Sequence, residues 1–288
     1  MTRRTFLLFL VLAFAVITTA QEMKDFRSAG RVGHIRSLHE ERAKLIEESG
    51  QLHESSRIVT EETKFSEKGE KLATRIVHPD GQTWTENSFR YEYDVEGRIL
   101  AMDVLGPDGK LQYKFINTYN KNGKLNGKAY KDKNGQPIFD LIYAYDEAGN
   151  ISRLHTRKPG KGYSDEVYTY SADGIEAERQ DYVADGVLHE RVITTYDATG
   201  RQTEIVGYTG AGRVIARAQY SYDAKDRNNV TEVVLSGMGD IVQRREHYTY
   251  DEFDEKGNWT KRHTVKETAR GSEIVKEMEV TYRTFTYY

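Results

Sequence analysis

Tyrosine followed by aspartate or asparagine recurs as a reactive-looking pair along this chain, as in Tyr93-Asp94, Tyr119-Asn120, Tyr145-Asp146, Tyr196-Asp197 and Tyr222-Asp223. A phenol beside a carboxylate could relay a proton, and an aromatic face could stack a sugar ring. The acidic stretches Asp251-Glu252-Phe253-Asp254-Glu255-Lys256-Gly257 and Asp132-Lys133-Asn134-Gly135 offer oxygen ligands for calcium. Neither has the full ligand spacing of an EF-hand or the nonapeptide of a calcium β-roll. The eight histidines include no His-Glu-x-x-His and no His-x-His, and His34 and His39 share neither a helix face nor a strand face. No Gly-x-Ser-x-Gly elbow is present, and the Gly-x-Gly fragments at 210–212 and 237–239 lack the rest of a nucleotide fingerprint. With 45 acids a carboxylate pair for glycoside hydrolysis can always form in three dimensions, but no sequence feature selects one. The sequence therefore names no catalytic, cofactor-binding or metal-ligating residue, and no cofactor is expected.

The spacing of the tyrosines gives these pairs another meaning. The phrase aromatic, turn-former, two loose residues and glycine begins at Tyr93, Tyr119, Tyr145, Tyr170, Tyr196, Tyr222 and Phe253, and its tyrosines are 26, 26, 25, 26 and 26 residues apart. A fixed period in this range marks a repeat architecture. Asp or Asn at the second position can open an Asx-turn, and glycine at the fifth accepts the positive φ of a type I turn closed by a bulge. Asp226 stands where the sixth copy should have glycine, and it is among the residues best able to visit that conformation. A second turn follows about 12 residues later, as when Gly97 is answered by Pro107-Asp108-Gly109.

Between turns the pattern has period two. Leu111, Tyr113, Phe115, Asn117 and Tyr119 share one face, while Gln112, Lys114, Ile116 and Thr118 share the other. Each unit therefore reads strand, turn, strand, turn. The expected fold class is all-β: a repetitive antiparallel β-hairpin meander of roughly sixteen strands, elongated and curled. No motif pairs its first strand with its last, so an open sheet is favoured over a closed barrel. The tyrosines are expected to pack within the sheet. Equivalent strands lie ~9.5 Å apart, too far for their rings to stack without help from the strand between.

The runs Tyr91-Glu92-Tyr93-Asp94-Val95-Glu96-Gly97-Arg98 and Tyr143-Ala144-Tyr145-Asp146-Glu147-Ala148-Gly149-Asn150 resemble the YD repeats of Rhs-type bacterial proteins. The resemblance spans about residues 60–265. It implies a β-sheet scaffold of a kind that elsewhere forms shells around toxins or serves as a surface or secreted array. The unit here is longer than the usual one, and the chain ends at Thr281-Tyr282-Arg283-Thr284-Phe285-Thr286-Tyr287-Tyr288 without a toxin domain, which fits a short stand-alone array better than a cargo shell.

The remaining features bound location and partners. Arg3 and Arg4, an apolar run from Phe6 to Ile17 and Thr18-Thr19-Ala20 have the order of a secretory signal peptide, with cleavage expected after Ala20. Residues 21–60 are expected to be a degenerate cap or first hairpin; 33–47 has helical spacing, but Glu48-Ser49-Gly50 resembles the repeat turns, so a hairpin is favoured. Residues 61–288 form the repeat domain. With no cysteine there are no disulfides, zinc thiolates or thiol catalysis. Removal of the leader leaves a net charge of about −5, which argues against nucleic acid and against an anionic membrane surface. The composition and pattern point to a non-enzymatic exported scaffold or binding module, periplasmic or extracellular, for a protein or glycan partner. Self-association through an unpaired terminal strand is a further expectation. The alternative is a carbohydrate-active enzyme with a carboxylate pair on the concave face.

Overall fold

A computed structural model of the chain describes residues 32–78, 81–160, 162–171, 174–224 and 229–288. The expected signal peptide and Asp226 lie outside them. The described residues form an antiparallel β meander. In chain order the strands are β1 (Ile35–Glu48), β2 (Gln51–Glu54), β3 (Ile58–Phe65), β4 (Lys71–Val77), β5 (Thr83–Tyr93), β6 (Ile99–Leu105), β7 (Leu111–Tyr119), β8 (Leu125–Asp132) and β9 (Pro137–Tyr145). The second half holds β10 (Ile151–Lys158), β11 (Gly162–Tyr170), β12 (Glu176–Tyr182), β13 (Leu188–Tyr196), β14 (Gln202–Thr209), β15 (Val214–Tyr222), β16 (Val230–Ser236), β17 (Val242–Phe253), β18 (Trp259–Arg270) and β19 (Glu273–Tyr287).

The turns form as their residues dictate. Gly97 N donates to Asp94 O and Asp94 N to Arg98 O, each at 3.0 Å, with Gly97 at φ 78°. Asp94 Oδ1 accepts from the backbone of Glu96 and Arg98, the predicted Asx contact. A register shift beside Tyr93 supplies the bulge. The same bonds recur at Asn120, Asp146 and Asp197, and at the second turns such as that from Gly106 to Gly109. Because consecutive strands alternate in direction, all the Tyr-Asp turns lie at one end of the sheet and all the second turns at the other.

The expected open sheet is corrected. β1 pairs with β3 on one side and with β19 on the other, from Ile35↔Tyr287 to Lys44↔Glu279, so the sheet closes. β2 pairs only with the far end of β1, from Leu45↔Glu54 to Glu48↔Gln51, as a hairpin extension. The ring thus has 18 strands rather than sixteen, because β1 and the long β17–β19 complete it. Segment 33–47, expected as part of a first hairpin rather than a helix, is strand: its far end pairs with β2 as a hairpin, and the rest closes the ring against β19. Closure also removes the premise for association through β19, since both of its edges are paired.

Closure is geometrically consistent. Followed around the ring, the registers return to β1 displaced by about 22 residues, which for 18 strands gives a tilt of about 42° and a backbone diameter of about 34 Å. For a round section that leaves a lumen roughly 20 Å across between side chains. The buried apolar residues match a hollow wall. Among the described residues only some of them gather into clusters, Ile35, Leu38 and Phe65 at the seam and Leu141, Tyr143 and Leu154 on β9 and β10, while others such as Val104, Val206 and Val280 belong to neither.

Candidate functional site: the inner wall

Register and strand twist together decide which face is inside. The Lys44 carbonyl, on the tyrosine face, accepts from Ser55 towards β3, whereas the His34 carbonyl, on the other face, accepts from Tyr288 of β19. For right-handed strand tilt this puts the tyrosines on the concave side. Crowding agrees: burial pushes the pKa values of Tyr170, Tyr196 and Tyr220 up to about 12, while Trp84 on the outer face is 75 % exposed.

The tyrosines are first of all structural. The hydroxyls of Tyr91, Tyr119, Tyr145, Tyr222 and Tyr250 donate to the carbonyls of Lys71, Ile99, Leu125, Gln202 and Val230, each 20 residues earlier, at 2.5–2.8 Å. The cation that ends a turn lies over the tyrosine of the next unit, as Arg98 does over Tyr119, Lys124 over Tyr145 and Arg201 over Tyr222, at 4.7–4.9 Å. The gap between equivalent strands is filled as expected on β7–β9, where Tyr130 meets Phe115 at 4.2 Å and stacks on Phe139 at 3.9 Å. That aromatic strip faces the lumen.

Beside it lies an acidic patch that sequence reasoning missed. Glu166 and Asp181 are opposite in register on β11 and β12, Glu176 and Tyr168 flank them, and Glu190 follows on β13. Arg179, 5 % exposed, bonds Asp181 at 3.0 Å and lies 3.9 Å from Glu166, which accepts from Tyr168 at 2.7 Å. One guanidinium does not offset four carboxylates. Burial raises the pKa of Glu166, Glu176, Asp181 and Glu190 above the ordinary range. Period-two faces alone could have gathered these acids, but only register sets them side by side.

A basic patch lies on β17, β18, β19 and β1. On the inner face Arg244, Arg262, Lys266, Arg283, Arg42 and Lys44 accompany Glu246, Glu279 and Glu40. Arg283 and Arg42 bind Glu40 at 2.9 and 3.1 Å, Arg42 also meets Glu279 at 3.6 Å, and Arg244 pairs with Glu246. Next to it, Arg42, Lys44, Ser55, Thr60 and Glu279 line a pocket of about 130 Å³. The hydroxyls of Thr264 and Thr281 are buried here without a hydrogen-bond partner. Such a group costs roughly 1–3 kcal/mol.

The outer wall is charged at mid-height. Arg90–Asp103 (2.5 Å), Lys114–Glu92 (2.9 Å), Arg157–Asp140 (2.6 Å), Arg191–Glu178 (2.6 Å) and Arg217–Glu204 (2.6 Å) succeed one another around it. His155 and His263 face Asp165 and Asp251 there at 3.0 and 2.9 Å. The calcium-loop candidates are occupied by turn bonding: Asp132 Oδ1 accepts from Asn134 and Gln136, and Asp254 from Lys256, Asn258 and Tyr287. Among the described residues no group of His, Asp and Glu has the arrangement of a metal site.

No family model matches this chain, and no curated protein matches it. Among solved structures it is similar to a porin-like protein from Bacteroides uniformis ATCC 8492, at 10 % identity and a TM-score of 0.42, covering 89 % of this chain and 98 % of the other. A porin-like protein from Bacteroides vulgatus ATCC 8482 is also similar at 10 % identity, with a TM-score of 0.25 and coverage of 88 % and 99 %.

Proposed function

We propose that the protein is a non-enzymatic exported barrel that works in an aqueous compartment and holds a glycan in its lumen. The observation that carries this reading is the hollow inner wall, where an aromatic strip at Phe115, Tyr130 and Phe139 adjoins an acidic patch. Aromatic faces stack sugar rings, and carboxylates accept hydrogen bonds from sugar hydroxyls. Export follows from the leader-like order of residues 1–20. The aqueous setting follows from the outer wall, since an Arg or Lys facing lipid at the midplane costs about 2–4 kcal/mol, and five ion pairs face outwards here at mid-height.

Two measurements test it. The mature chain should stay in the aqueous phase on detergent phase separation; recovery in the detergent phase would overturn the aqueous setting. A glycan array should retain one saccharide class, and Tyr130→Ala should abolish retention. No retention of any class by the folded chain would defeat the glycan reading.

A second reading is a carbohydrate-active enzyme, favoured by one observation: Glu166 and Asp181 face each other in register with raised pKa values. Such a carboxyl could serve as a general acid. Release of reducing ends from a polysaccharide panel, lost in Glu166→Gln, would establish it; a silent panel would remove it.

A further inference from the structure

We propose that a fork in the seam, at the rim that carries the second turns, binds an extended peptide segment of a protein partner as an added strand. The segment is uncharged and apolar at alternate positions. The inference goes beyond the glycan reading and does not rest on it, because the fork lies at the rim and not in the lumen.

Closure pairs both edges of β19 only from Glu279 onwards. The ladder between β1 and β19 ends at Lys44↔Glu279, although β19 begins at Glu273 and β1 runs on to Glu48. Past that pair the strands part: residues 45–48 of β1 pair with β2, and residues 273–278 of β19 pair with β18 alone. Two hairpins thus stand side by side at the rim, each with an unpaired edge on the side of the other.

The ladder also decides which backbone groups lie on those edges. Lys44 N donates to Ser55 Oγ and Lys44 O accepts from Ser55 N, both on the β3 side, so the alternate residues Ala43, Leu45 and Glu47 face β19. Val280 stands opposite Ala43, so Met278, Lys276 and Ile274 face β1. The N–H and C=O groups of Leu45, Glu47, Ile274, Lys276 and Met278 therefore have no ladder partner among the described residues. Open edges of this kind are a template for one more strand.

The side chains set the chemistry of that strand. Leu45, Leu52, Ile274 and Met278 share the outer face of the two prongs, and Ile274 is 72 % exposed. An added strand places every second side chain beside them. The charges of the β19 prong are matched within the sheet: Glu273 stands opposite Arg270, Lys276 opposite Glu267 and Glu277 opposite Lys266. That prong therefore asks no charge of a partner, and Glu47 and Glu48 are exposed at the tip of the other. A second copy of the chain has only the same fork to offer, and the hairpin mate on each prong bars it from lying between two others.

The probe is a fluorescein-labelled, end-capped heptapeptide of alternating valine and threonine, titrated into the mature chain and followed by anisotropy. Saturable binding is expected. It should be lost with the same peptide N-methylated at alternate residues, and with a peptide of equal composition whose valines form one block. Lys276→Pro removes an N–H that faces the fork and leaves the bonds to β18 in place, so it should weaken binding at least tenfold. Lys276→Ala should bind as the parent does, which separates the backbone from the side chain. Hydrogen exchange on the parent protein gives a reading free of any folding defect: the peptide should slow the amides of Ile274, Lys276 and Met278 at least tenfold and leave that of Val95, at the opposite rim, unchanged. No saturable binding, equal binding of the N-methylated peptide, or no protection of these three amides would overturn the inference. Concentration-dependent association of the parent chain that protects the same amides would also overturn it, giving the edge to a second copy.

Discussion

Arg283 Nε donates to Glu40 Oε2 at 2.9 Å, joining residues 243 positions apart across the seam where the last strand meets the first. Glu40 is 4 % exposed and also accepts from Arg42 and from Thr60 at 3.0 Å. Burial opposes its charge, but the two arginines outweigh that and hold its pKa below the ordinary carboxylate value.

Removing one partner of this pair should open the seam. Arg283→Met leaves a buried carboxylate short of a cation and should cost about 3 kcal/mol or more in urea unfolding. It should also free two strand edges, so concentration-dependent association in sedimentation is expected only in this variant. A monomeric variant of unchanged stability would contradict the role assigned to the seam.

The inter-unit tyrosine bond is testable at Tyr119. Tyr119→Phe keeps the ring under Arg98 but deletes the 2.8 Å bond to Ile99 O. A loss of roughly 0.5–1.5 kcal/mol in chemical denaturation is expected. Tyr113, at the far end of β7 and half exposed, should tolerate the same change.

The acidic patch should make stability depend on pH. Glu166, Glu176, Asp181 and Glu190 have raised folded pKa values, so the folded state binds their protons more tightly than the unfolded state does. Their penalty is absent below the unfolded value of about 4 and grows as pH rises through the raised folded values. Melting temperature should therefore rise as pH is lowered from neutrality through the raised folded values towards the unfolded value of about 4. Glu166→Gln should raise it at pH 7 and flatten the profile. Glu40→Gln should lower it at pH 7, because the stability contributed by a depressed carboxylate is present above its unfolded value and lost only in acid.

Two glycines should separate turn strain from close packing. Gly97, at φ 78° with open space around it, should lose about 1–2 kcal/mol as Gly97→Ala. At Gly210 an added Cβ would lie 1.9 Å from the Leu188 carbonyl oxygen, so Gly210→Ala must shift backbone and should cost more. Thermal melts of the two variants side by side decide the order.

The repeat unit was legible in the chain because everything that makes it is local. Asp94, Gly97 and Arg98 close their own turn, period two sets which residues share Tyr119's face, and Tyr119 meets a carbonyl only 20 residues away. Closure was not legible, because it depends on the sum of registers around the whole ring and on Glu40, Arg42 and Arg283 meeting at the seam. The patches share that limit. Glu166 and Asp181, or Arg262 and Thr281, are ordinary strand residues until register sets them opposite each other. Sequence alone thus determined strands, turns and the structural task of the tyrosines, since those follow from backbone geometry over a few residues. Only the tertiary structure decided that the sheet encloses a lumen and which charges line it, because curvature and distant strand pairing decide which side is inside and which residues meet.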